Sequence, residues 1–525
     1  MAETEKLDPE LGRELERNGI DAALTLRILA NYNAGRYDSV QPVLVRDLPE
    51  IDGETILDLT GELSWSLPLA KAEAALARFP ELGLSAADYG RHAGERVTFT
   101  RMELARLGLR LLPLVGFGIL NGGSATSYAD YKKNGAFGAK ILEICGPVFE
   151  RMAELSRGRA KGLTPGFLQP DGTPGASYIE LKMRALLIQV LRYQRTTGER
   201  APVLFPLFQM TSVNNTEEVL EAYRSYRASP LLSELIAATG VDITQVETGV
   251  QPLVAAYTHS SYGRPKRLFT EAYGKPGAVL PLPGGHGQNF AVLRDIYRKL
   301  HASGKRFVQL GNVDNLGNTL DLAELALLAL SGKQAGFDFA FKTPIDVKGG
   351  ILVVDQRNRL DCADIGPAIS HEEVHHAESL GKDILFNCAT GLFNLDYLTD
   401  NIDYIVDNLP MRWSDQDKDA GRYSQAEQVT WEIIGMLDNF FIFGVKKTER
   451  FLAAKLLLEC LMTSGIGLDR PDYPTDPVAA RSPRHIADQL HEGLVGRLQS
   501  VYGMERVEGR WEPKPIARLI EEIPL

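Results

Sequence analysis

Between residues 96 and 465, short apolar runs alternate with stretches of helical periodicity, and this pattern limits the choice of fold more than any other feature of the chain. The runs include LVGFGIL, APVLFPLFQM, RFVQLGNVDN, GILVVD and DILFNCA. Strands that alternate with helices are typical of an α/β domain with a largely parallel sheet. Because ligands of open α/β sheets bind at the carboxyl ends of strands, we expect the functional residues directly after these runs.

The segments on either side lack this alternation. Residues 1–95 contain helical stretches with charged faces, which predict a helical N-terminal region. Residues 466–525 begin with a proline-rich stretch and continue into an amphipathic helix, which predicts a small C-terminal cap. The expected organisation is therefore a helical region over 1–95, a large α/β domain over 96–465 and a cap over 466–525.

Composition narrows the possible functions. A net charge of −11 over 525 residues argues against a nucleic-acid-binding surface, although local lysines and a divalent ion still allow an anionic small substrate. Four cysteines without CxxC spacing favour a reducing compartment. The N-terminus lacks the apolar core of a signal peptide, and no apolar run approaches the ~18 residues of a membrane span. We therefore expect a cytoplasmic protein without a membrane partner.

Three loops that follow or flank apolar runs carry candidate site residues. Gly122 and Gly123 follow LVGFGIL as in a phosphate-binding loop, which raises the question of where its lysine lies. The stretch PGGHG places His286 just before a helix start, where exposed amides can bind an anion; a simple glycine turn is the alternative. Asp314, with Asn312 beside it, suits either a Mg²⁺ ligand or an Asx turn that caps the next helix.

Two later stretches add basic and amide groups. FKTPIDVKGG places Lys342 and Lys348 on either side of a turn, where they either neutralise a polyphosphate or stand exposed on a hairpin. The run in ILFNCATGLFNL predicts a strand that ends at Asn387.

The stretch HEEVH matches the HExxH pattern of zinc proteases. On a helix, His371 and His375 would share a face, with Glu372 as general base. No third ligand stands at a customary spacing, so a solvated helix surface is the simpler interpretation.

The order of these stretches resembles the UDP-sugar pyrophosphorylase superfamily, and within it the UTP–glucose-1-phosphate uridylyltransferase family. The series is the Gly-Gly loop, MTSVNNTEE, PGGHG, VDNLGNTLD, KTPIDVKGG, FNCATGLFNL and FFIFGVKKTERFLAAK, within about 112–465. The resemblance implies a Rossmann-like, GT-A-like nucleotidyltransferase core with a mixed sheet. It also implies transfer of UMP from UTP to a sugar 1-phosphate, with Mg²⁺ and release of pyrophosphate.

The resemblance further implies a role for each matching position. Backbone and hydroxyl groups of the glycine loops would hold the nucleotide, Asp314 would bind Mg²⁺, Lys348 would contact phosphate, and polar side chains would hold the sugar phosphate. The nucleotide positions are Gly122, Gly123, Thr126 and Gly285, and the substrate positions are His286, Asn312, Asp361 and Asn387. The family usually has glutamate at the position of Asp361, which gives a shorter reach here.

The glycine loop departs from the family pattern, because Ser124 and Ala125 replace its middle and no lysine stands at the family spacing. Lys161 is followed by a short strand, a turn and a helix over about 178–191, which is the family context of the phosphate-loop lysine. We therefore interpret 128–158 as a helical insertion and Lys161 as the displaced catalytic lysine. The alternative is an ordinary exposed lysine.

Three rival functions remain open: a pyrophosphorylase for N-acetylhexosamine or another sugar, a nucleotide-sugar-binding protein without turnover, and a zinc hydrolase. The altered GGSAT loop motivates the second. The sequence leaves the sugar and the oligomeric state undetermined.

Overall fold

The computed structural model describes residues 8–38, 43–123, 125, 128–200, 205–343, 346–478 and 482–522. The helices in these ranges are α1 Pro9–Arg17, α2 Ala22–Asn33, α3 Leu69–Leu76, α4 Arg101–Arg110, α5 Tyr131–Ser156, α6 Tyr178–Thr197, α7 Thr216–Tyr226, α8 Ser233–Thr239, α9 Asn289–Val292, α10 Arg294–Ala302, α11 Leu322–Ser331, α12 His371–Ser379, α13 Leu395–Asn408, α14 Lys447–Arg450, α15 Leu457–Thr463, α16 Pro483–Ser500 and α17 Ile516–Glu522.

The strands in the same ranges are β1 Val45–Asp47, β2 Ile56–Asp58, β3 Ser64–Pro68, β4 Arg91–Ala93, β5 Arg96–Thr100, β6 Val115–Leu120, β7 Leu207–Ser212, β8 Glu247–Gln251, β9 Leu253–Ala255, β10 Tyr257–Thr258, β11 Pro281–Pro283, β12 Phe307–Asn312, β13 Ala335–Phe341, β14 Gly350–Asp355, β15 Leu360–Asp364, β16 Leu385–Asn394, β17 Arg412–Lys418, β18 Gly421–Glu427, β19 Phe440–Val445, β20 Met504–Val507 and β21 Arg510–Pro513.

Eleven strands of the described ranges form one central sheet. Eight of them follow the order β2-β19-β13-β16-β12-β6-β7-β8, and β14 joins beside β16 together with β1 and β15. Strand β16 runs antiparallel to both β12 and β13, whereas β12, β6, β7 and β8 are mutually parallel. The α/β class and the mixed sheet expected from the resemblance are confirmed.

The sheet brings the ends of several strands to one edge. The carboxyl ends of β6, β7 and β12 lie there because these strands are parallel, and Asn312 is paired with Leu120. The antiparallel β16 begins at the same edge, since Gly311 at the end of β12 pairs with Thr390. Asn387 therefore lies near the start of a ten-residue strand, and the prediction that a strand ends there is wrong.

The N-terminal segment is not wholly helical as predicted. In the described part of residues 1–95, the α-helices are α1, α2 and α3. Ile56 and Leu57 are buried in β2, which extends the central sheet beside β19. This strand has three residues, so its apolar signal is too short to be recognised against the helical stretches around it. Strands β3 and β5 pair with each other next to it.

The predicted helical insertion and C-terminal helix are both present. Helix α5 spans Tyr131–Ser156 with a kink at Gly138, and α16 spans Pro483–Ser500. Helix α16 packs into the main core through Leu494 and Leu498, which are fully or almost fully buried. The C-terminal residues therefore contribute to the same core as the central sheet.

All four cysteines are free thiols and are buried in the structure. Within the described ranges, no helix has both the length and the apolar character needed to cross a bilayer.

Candidate active site

A cleft of about 280 Å³ lies at the edge of the sheet where the strand ends meet. Its walls come from the turn after β12, the starts of β14 and β16, the strands β15 and β17, and the segments 429–432 and 451–455. The lining residues are His286, Asn312, Asp314, Asn315, Gly349, Gly350, Cys362, Asp364, Phe386, Asn387, Ala389, Arg412, Val429, Trp431, Glu432, Phe451, Ala453 and Lys455. Four predicted site residues, His286, Asn312, Asp314 and Asn387, are thus brought together.

The turn that carries Asp314 is fixed from behind. The buried Asn315 donates through Nδ2 to the carbonyl oxygens of Cys388 and Arg450, at 3.2 and 3.0 Å. The buried Lys182 ammonium donates to the carbonyl oxygens of Asn315 and Asn318, at 2.7 and 3.0 Å. Because the backbone is held by these bonds, the Asp314 side chain has a defined place in the cleft wall.

Asp314 has the properties of a Mg²⁺ ligand that shares the ion with phosphate. Its carboxylate accepts no hydrogen bond from any of the described residues, so its oxygens are open to the cleft. Across the described ranges, no three His, Cys, Asp or Glu side chains form a metal-binding group. A single carboxylate fits Mg²⁺, which commonly takes one or two protein carboxylates and completes its shell with water and phosphate oxygens.

His286 enters the cleft as a neutral donor. The backbone N–H of Thr430 donates to His286 Nδ1 at 3.1 Å, so the ring proton of the neutral form is on Nε2. Burial lowers the pKa of His286 to about 4, and the nearby Arg412 lowers it further than Asp364 raises it. His286 therefore offers an N–H to an anion throughout the physiological pH range without carrying a charge.

The glycine loops that were predicted to hold the nucleotide meet at Gln251. A Cβ on Gly122 would lie 2.9 Å from Gln251 Oε1, and Gln251 Nε2 donates to the carbonyl of Gly285 at 2.7 Å. Gly285 has φ +83°, and a Cβ there would lie 2.3 Å from the Gln428 carbonyl oxygen. Gly123 is exposed with open space beside it, whereas Thr126 lies outside the described residues.

Lys161 is next to the glycine loop, as predicted, but its amine does not line the cleft. The Lys161 backbone N–H donates to the Gly123 carbonyl at 3.0 Å. Its ammonium donates to the Ala454 carbonyl at 2.7 Å and lies 3.0 Å from the centre of the Tyr128 ring. Burial lowers the pKa of Lys161 to about 8, against the opposing effect of Asp314. The backbone of Lys161 therefore lies beside the glycine loop, and the catalytic role of its amine stays a prediction.

The two lysines of FKTPIDVKGG do not converge. Lys342 pairs with Glu378 at 2.6 Å and its side chain is largely buried, so it is not available to a polyphosphate. Lys348 is exposed, and the next two residues, Gly349 and Gly350, line the cleft. Only Lys348 is therefore in a position to reach phosphate at the mouth of the cleft.

Asp361 does not reach the cleft, which corrects the prediction that it holds sugar hydroxyls. Side chains alternate between the faces of a strand, and in β15 it is Cys362 and Asp364 that line the cleft. Asp361 is 6% exposed, and its Oδ1 accepts from the Cys362 N–H at 2.7 Å. Burial raises the pKa of Asp361 to about 7.

Replacing Asp361 with asparagine should stabilise the protein at alkaline pH. Because the folded-state pKa is raised, this carboxyl favours the folded state below pH 4, and that contribution is lost as the pH rises to about 7. We expect D361N to raise the free energy of unfolding by roughly 2–4 kcal/mol at pH 8, and by much less near pH 4. Denaturant titrations at both pH values test this expectation. A change in the KM for a sugar phosphate in D361N would instead indicate that Asp361 contacts the substrate.

Sequence reasoning missed the charged side of the cleft. Arg412, from β17, donates to Glu432 through Nε at 2.5 Å and pairs with Asp364 through Nη1. Arg412 lies in a small separate sheet, so no motif pointed to it. Lys455 lies at the end of FFIFGVKKTERFLAAK, a quoted stretch in which no residue had been assigned a role.

Two buried polar atoms in this wall have no partner among the described residues. They are Trp431 Nε1, a donor, and Glu432 Oε2, an acceptor. A sugar hydroxyl can both donate and accept, so this donor and acceptor suit a carbohydrate.

The HEEVH stretch is a helix surface. It begins α12, where Ser370 caps the first turn and the His375 side chain is 87% exposed. The described ranges contain no metal-binding group, so the zinc interpretation is not supported.

Comparison with known proteins finds similar sequences over part of the chain. Residues 265–465 match the model of the UTP–glucose-1-phosphate uridylyltransferase family. A probable UTP–glucose-1-phosphate uridylyltransferase of Schizosaccharomyces pombe is 32% identical over 254 residues, which are 47% of this chain and 44% of that protein. The enzyme of that name from Solanum tuberosum is 25% identical over 49% of this chain and 50% of its own length. The chain thus spans about half the length of these curated relatives.

Solved structures support the fold. A UDP-glucose phosphorylase from Trypanosoma brucei superposes with a TM-score of 0.52 at 17% identity, over 86% of this chain and 77% of its own. A mutant UDP-glucose pyrophosphorylase from Leishmania major, in complex with UDP-glucose, gives 0.52 at 14% identity over 86% and 78%.

Proposed function

We propose that this chain, which is similar to UTP–glucose-1-phosphate uridylyltransferases over part of its length, transfers UMP from UTP to a sugar 1-phosphate and releases pyrophosphate. The observation that carries the proposal is the convergence of Asp314, His286, Asn387 and Lys455 on one cleft, beside the Gly122 loop. Glucose 1-phosphate is the first candidate substrate, because the matching family model and the similar curated proteins carry the name of that activity.

The reaction is a single displacement at the α-phosphorus of UTP. A phosphate oxygen of the sugar 1-phosphate attacks, the bond to the bridging oxygen of the β-phosphate breaks, and pyrophosphate leaves. The nucleophile is already an anion, so no general base is required, and catalysis comes from positioning and neutralisation of charge.

Different groups of the protein would bind different parts of the two substrates. The backbone of Gly122, Gly123 and Gly285 would orient the nucleotide, with Gln251 fixing the distance between the two loops. His286 Nε2–H and Lys455 would hold phosphate oxygens. Mg²⁺, when bound by Asp314, would supply neutralisation of charge on the phosphates. Four polar side chains would hold the sugar of the sugar 1-phosphate: Asn312, Asn387, Asp364 and Glu432.

A pyrophosphate-release assay with Mg²⁺ tests the proposal. UTP should be compared with ATP, GTP and CTP, and glucose 1-phosphate with N-acetylglucosamine 1-phosphate and galactose 1-phosphate. Turnover with UTP and one sugar phosphate is expected. If no combination of nucleotide and sugar 1-phosphate releases pyrophosphate while UTP or a UDP-sugar still binds, the chain is a nucleotide-sugar-binding protein.

Replacing Lys455 with methionine should lower kcat/KM about 10²-fold, because the cleft loses a cation that faces the phosphates. K446M is the matched control, since Lys446 is half-exposed, pairs with Glu449 at 3.4 Å and is not among the described residues that line the cleft. Steady-state rates of pyrophosphate release distinguish the two variants. Equal kcat/KM values would remove Lys455 from the site.

A further inference from the structure

A second cavity, of about 160 Å³, lies behind the cleft and contains four arginines. Among the described residues, none lines both spaces. Its walls come from α4, α6, the turn at 319–321, α14 and α16. We call it the arginine cavity and define it by Arg101, Arg192, Arg450, Arg497, Gln189 and Asp321.

Two of these arginines are neutralised by protein carboxylates. Arg101 pairs with Asp321 at 2.6 Å. Arg450 pairs with Asp338 at 2.6 Å and with Glu324 at 3.2 Å. These two guanidinium groups therefore need no further anion.

The other two arginines form no direct ion pair in the described ranges, although the carboxylates of Asp321 and Glu449 also line the cavity. Neither Arg192 nor Arg497 forms an ion pair with any described residue, and Nε of each is buried without a hydrogen-bond acceptor. The one hydrogen-bond acceptor of Arg497 in the described ranges is Thr319 Oγ1. Both residues are partly buried, and burial lowers the pKa of both guanidinium groups. At Arg497, the nearby Tyr502, Asp321 and Glu449 oppose this lowering without cancelling it. A partly buried positive charge without a direct ion pair favours the binding of an anion beside it.

From this arrangement we propose that the arginine cavity binds a small tetrahedral oxyanion of the phosphate class, at Arg192 and Arg497. The planar guanidinium presents paired N–H donors that match the oxygens of phosphate. The volume of about 160 Å³ is well below that of a typical cofactor pocket, which selects an inorganic phosphate or a short phosphomonoester over a nucleotide. The Gln189 Oε1, also buried and unpartnered, can accept a proton from a hydrogen phosphate.

The first test compares R192Q with R195Q by thermal unfolding of the full chain. Arg195 lies on the same helix but is exposed, so it controls for loss of a positive charge. In chloride buffer, R192Q should have a higher Tm than the wild type, because it removes a partly buried charge that forms no ion pair with the described residues. Inorganic phosphate at matched ionic strength should raise the Tm of the wild type and of R195Q, but not that of R192Q.

The catalytic cleft must be excluded as the source of the effect. K455M should keep the phosphate-dependent rise in Tm, because Lys455 lies in the cleft and not in the arginine cavity. Titration calorimetry should show phosphate affinity reduced about tenfold or more in R192Q, the effect of losing one charge-assisted hydrogen bond. Glycerol 3-phosphate serves as a second probe: a larger rise in Tm than with phosphate indicates a phosphomonoester ligand.

A crystal of the wild type soaked in selenate provides an independent readout. An anomalous peak between Arg192 and Arg497 supports the site whether or not R192Q folds. The proposal fails if that peak is missing from the arginine cavity, or if phosphate stabilises R192Q as much as the wild type. No turnover is measured, so these results do not depend on the proposed enzymatic function.

Discussion

Replacing Asp314 with asparagine should lower kcat for UDP-sugar formation about 10²–10³-fold. Asparagine keeps the size of the side chain but removes the charge that would hold Mg²⁺ against the phosphates in the cleft. The turn should remain intact, because its hydrogen bonds run through Asn315 and Lys182 and not through the Asp314 carboxylate. Pyrophosphate-release rates as a function of Mg²⁺ concentration measure the effect, and half-saturation should shift to higher Mg²⁺.

D295N is the control for this substitution, because the Asp295 side chain is 91% exposed on α10, outside the cleft. Binding of Mn²⁺ in the presence of UTP, followed by electron paramagnetic resonance, gives a readout that does not depend on turnover. If D314N retains both the rate and the Mn²⁺ affinity of the wild type, another group holds the metal.

Replacing Arg450 with methionine should lower the free energy of unfolding by about 3–5 kcal/mol. Arg450 is 5% exposed and joins Asp338, Glu324 and the Thr319 carbonyl at the centre of the main core. Its removal leaves two buried carboxyl groups without a cation, and burial already raises the pKa of both. Urea unfolding followed by tryptophan fluorescence measures the loss.

The triple variant R450M/D338N/E324Q separates the ion pairs from simple packing. It removes the carboxylates together with the guanidinium, so it should recover part of the stability lost in R450M. If the triple variant is less stable than R450M, the loss comes from packing around the long arginine side chain. An unchanged midpoint of urea unfolding in R450M would contradict the stabilising role of these ion pairs.

Sequence reasoning succeeded where a residue's place follows from the end of a strand. Asn312 and Asp314 lie at the cleft because parallel strands bring their carboxyl ends to one edge. His286 also follows a strand, β11, which belongs to a separate two-stranded sheet. The context of Lys161, a turn and then a helix, also placed its backbone correctly beside Gly123. These predictions needed only the order of the elements.

Sequence reasoning failed where the position of a side chain depends on which way it points or on residues far away in the chain. Asp361 and Asp364 are both in β15, and their spacing places them on opposite faces of the strand. Which of the two side chains faces the cleft depends on the register of β15 in the sheet, which the sequence does not give. The Lys161 amine contacts the Tyr128 ring and the Ala454 carbonyl and does not line the cleft. Ala454 lies 293 positions later in the chain, so the sequence around Lys161 does not indicate this contact. Arg412 comes from a separate hairpin, so its pairing with Glu432 has no local signature.

The turn from 314 to 318 is anchored by elements from across the chain. The Tyr502 hydroxyl donates to the Leu316 carbonyl at 2.6 Å, in addition to the bonds from Lys182. Little conformational freedom therefore remains to be lost here when nucleotide arrives, and affinity is not reduced by the entropy of ordering this turn. Slow amide hydrogen exchange at 315–318, similar before and after addition of nucleotide, would be the signature of such preorganisation.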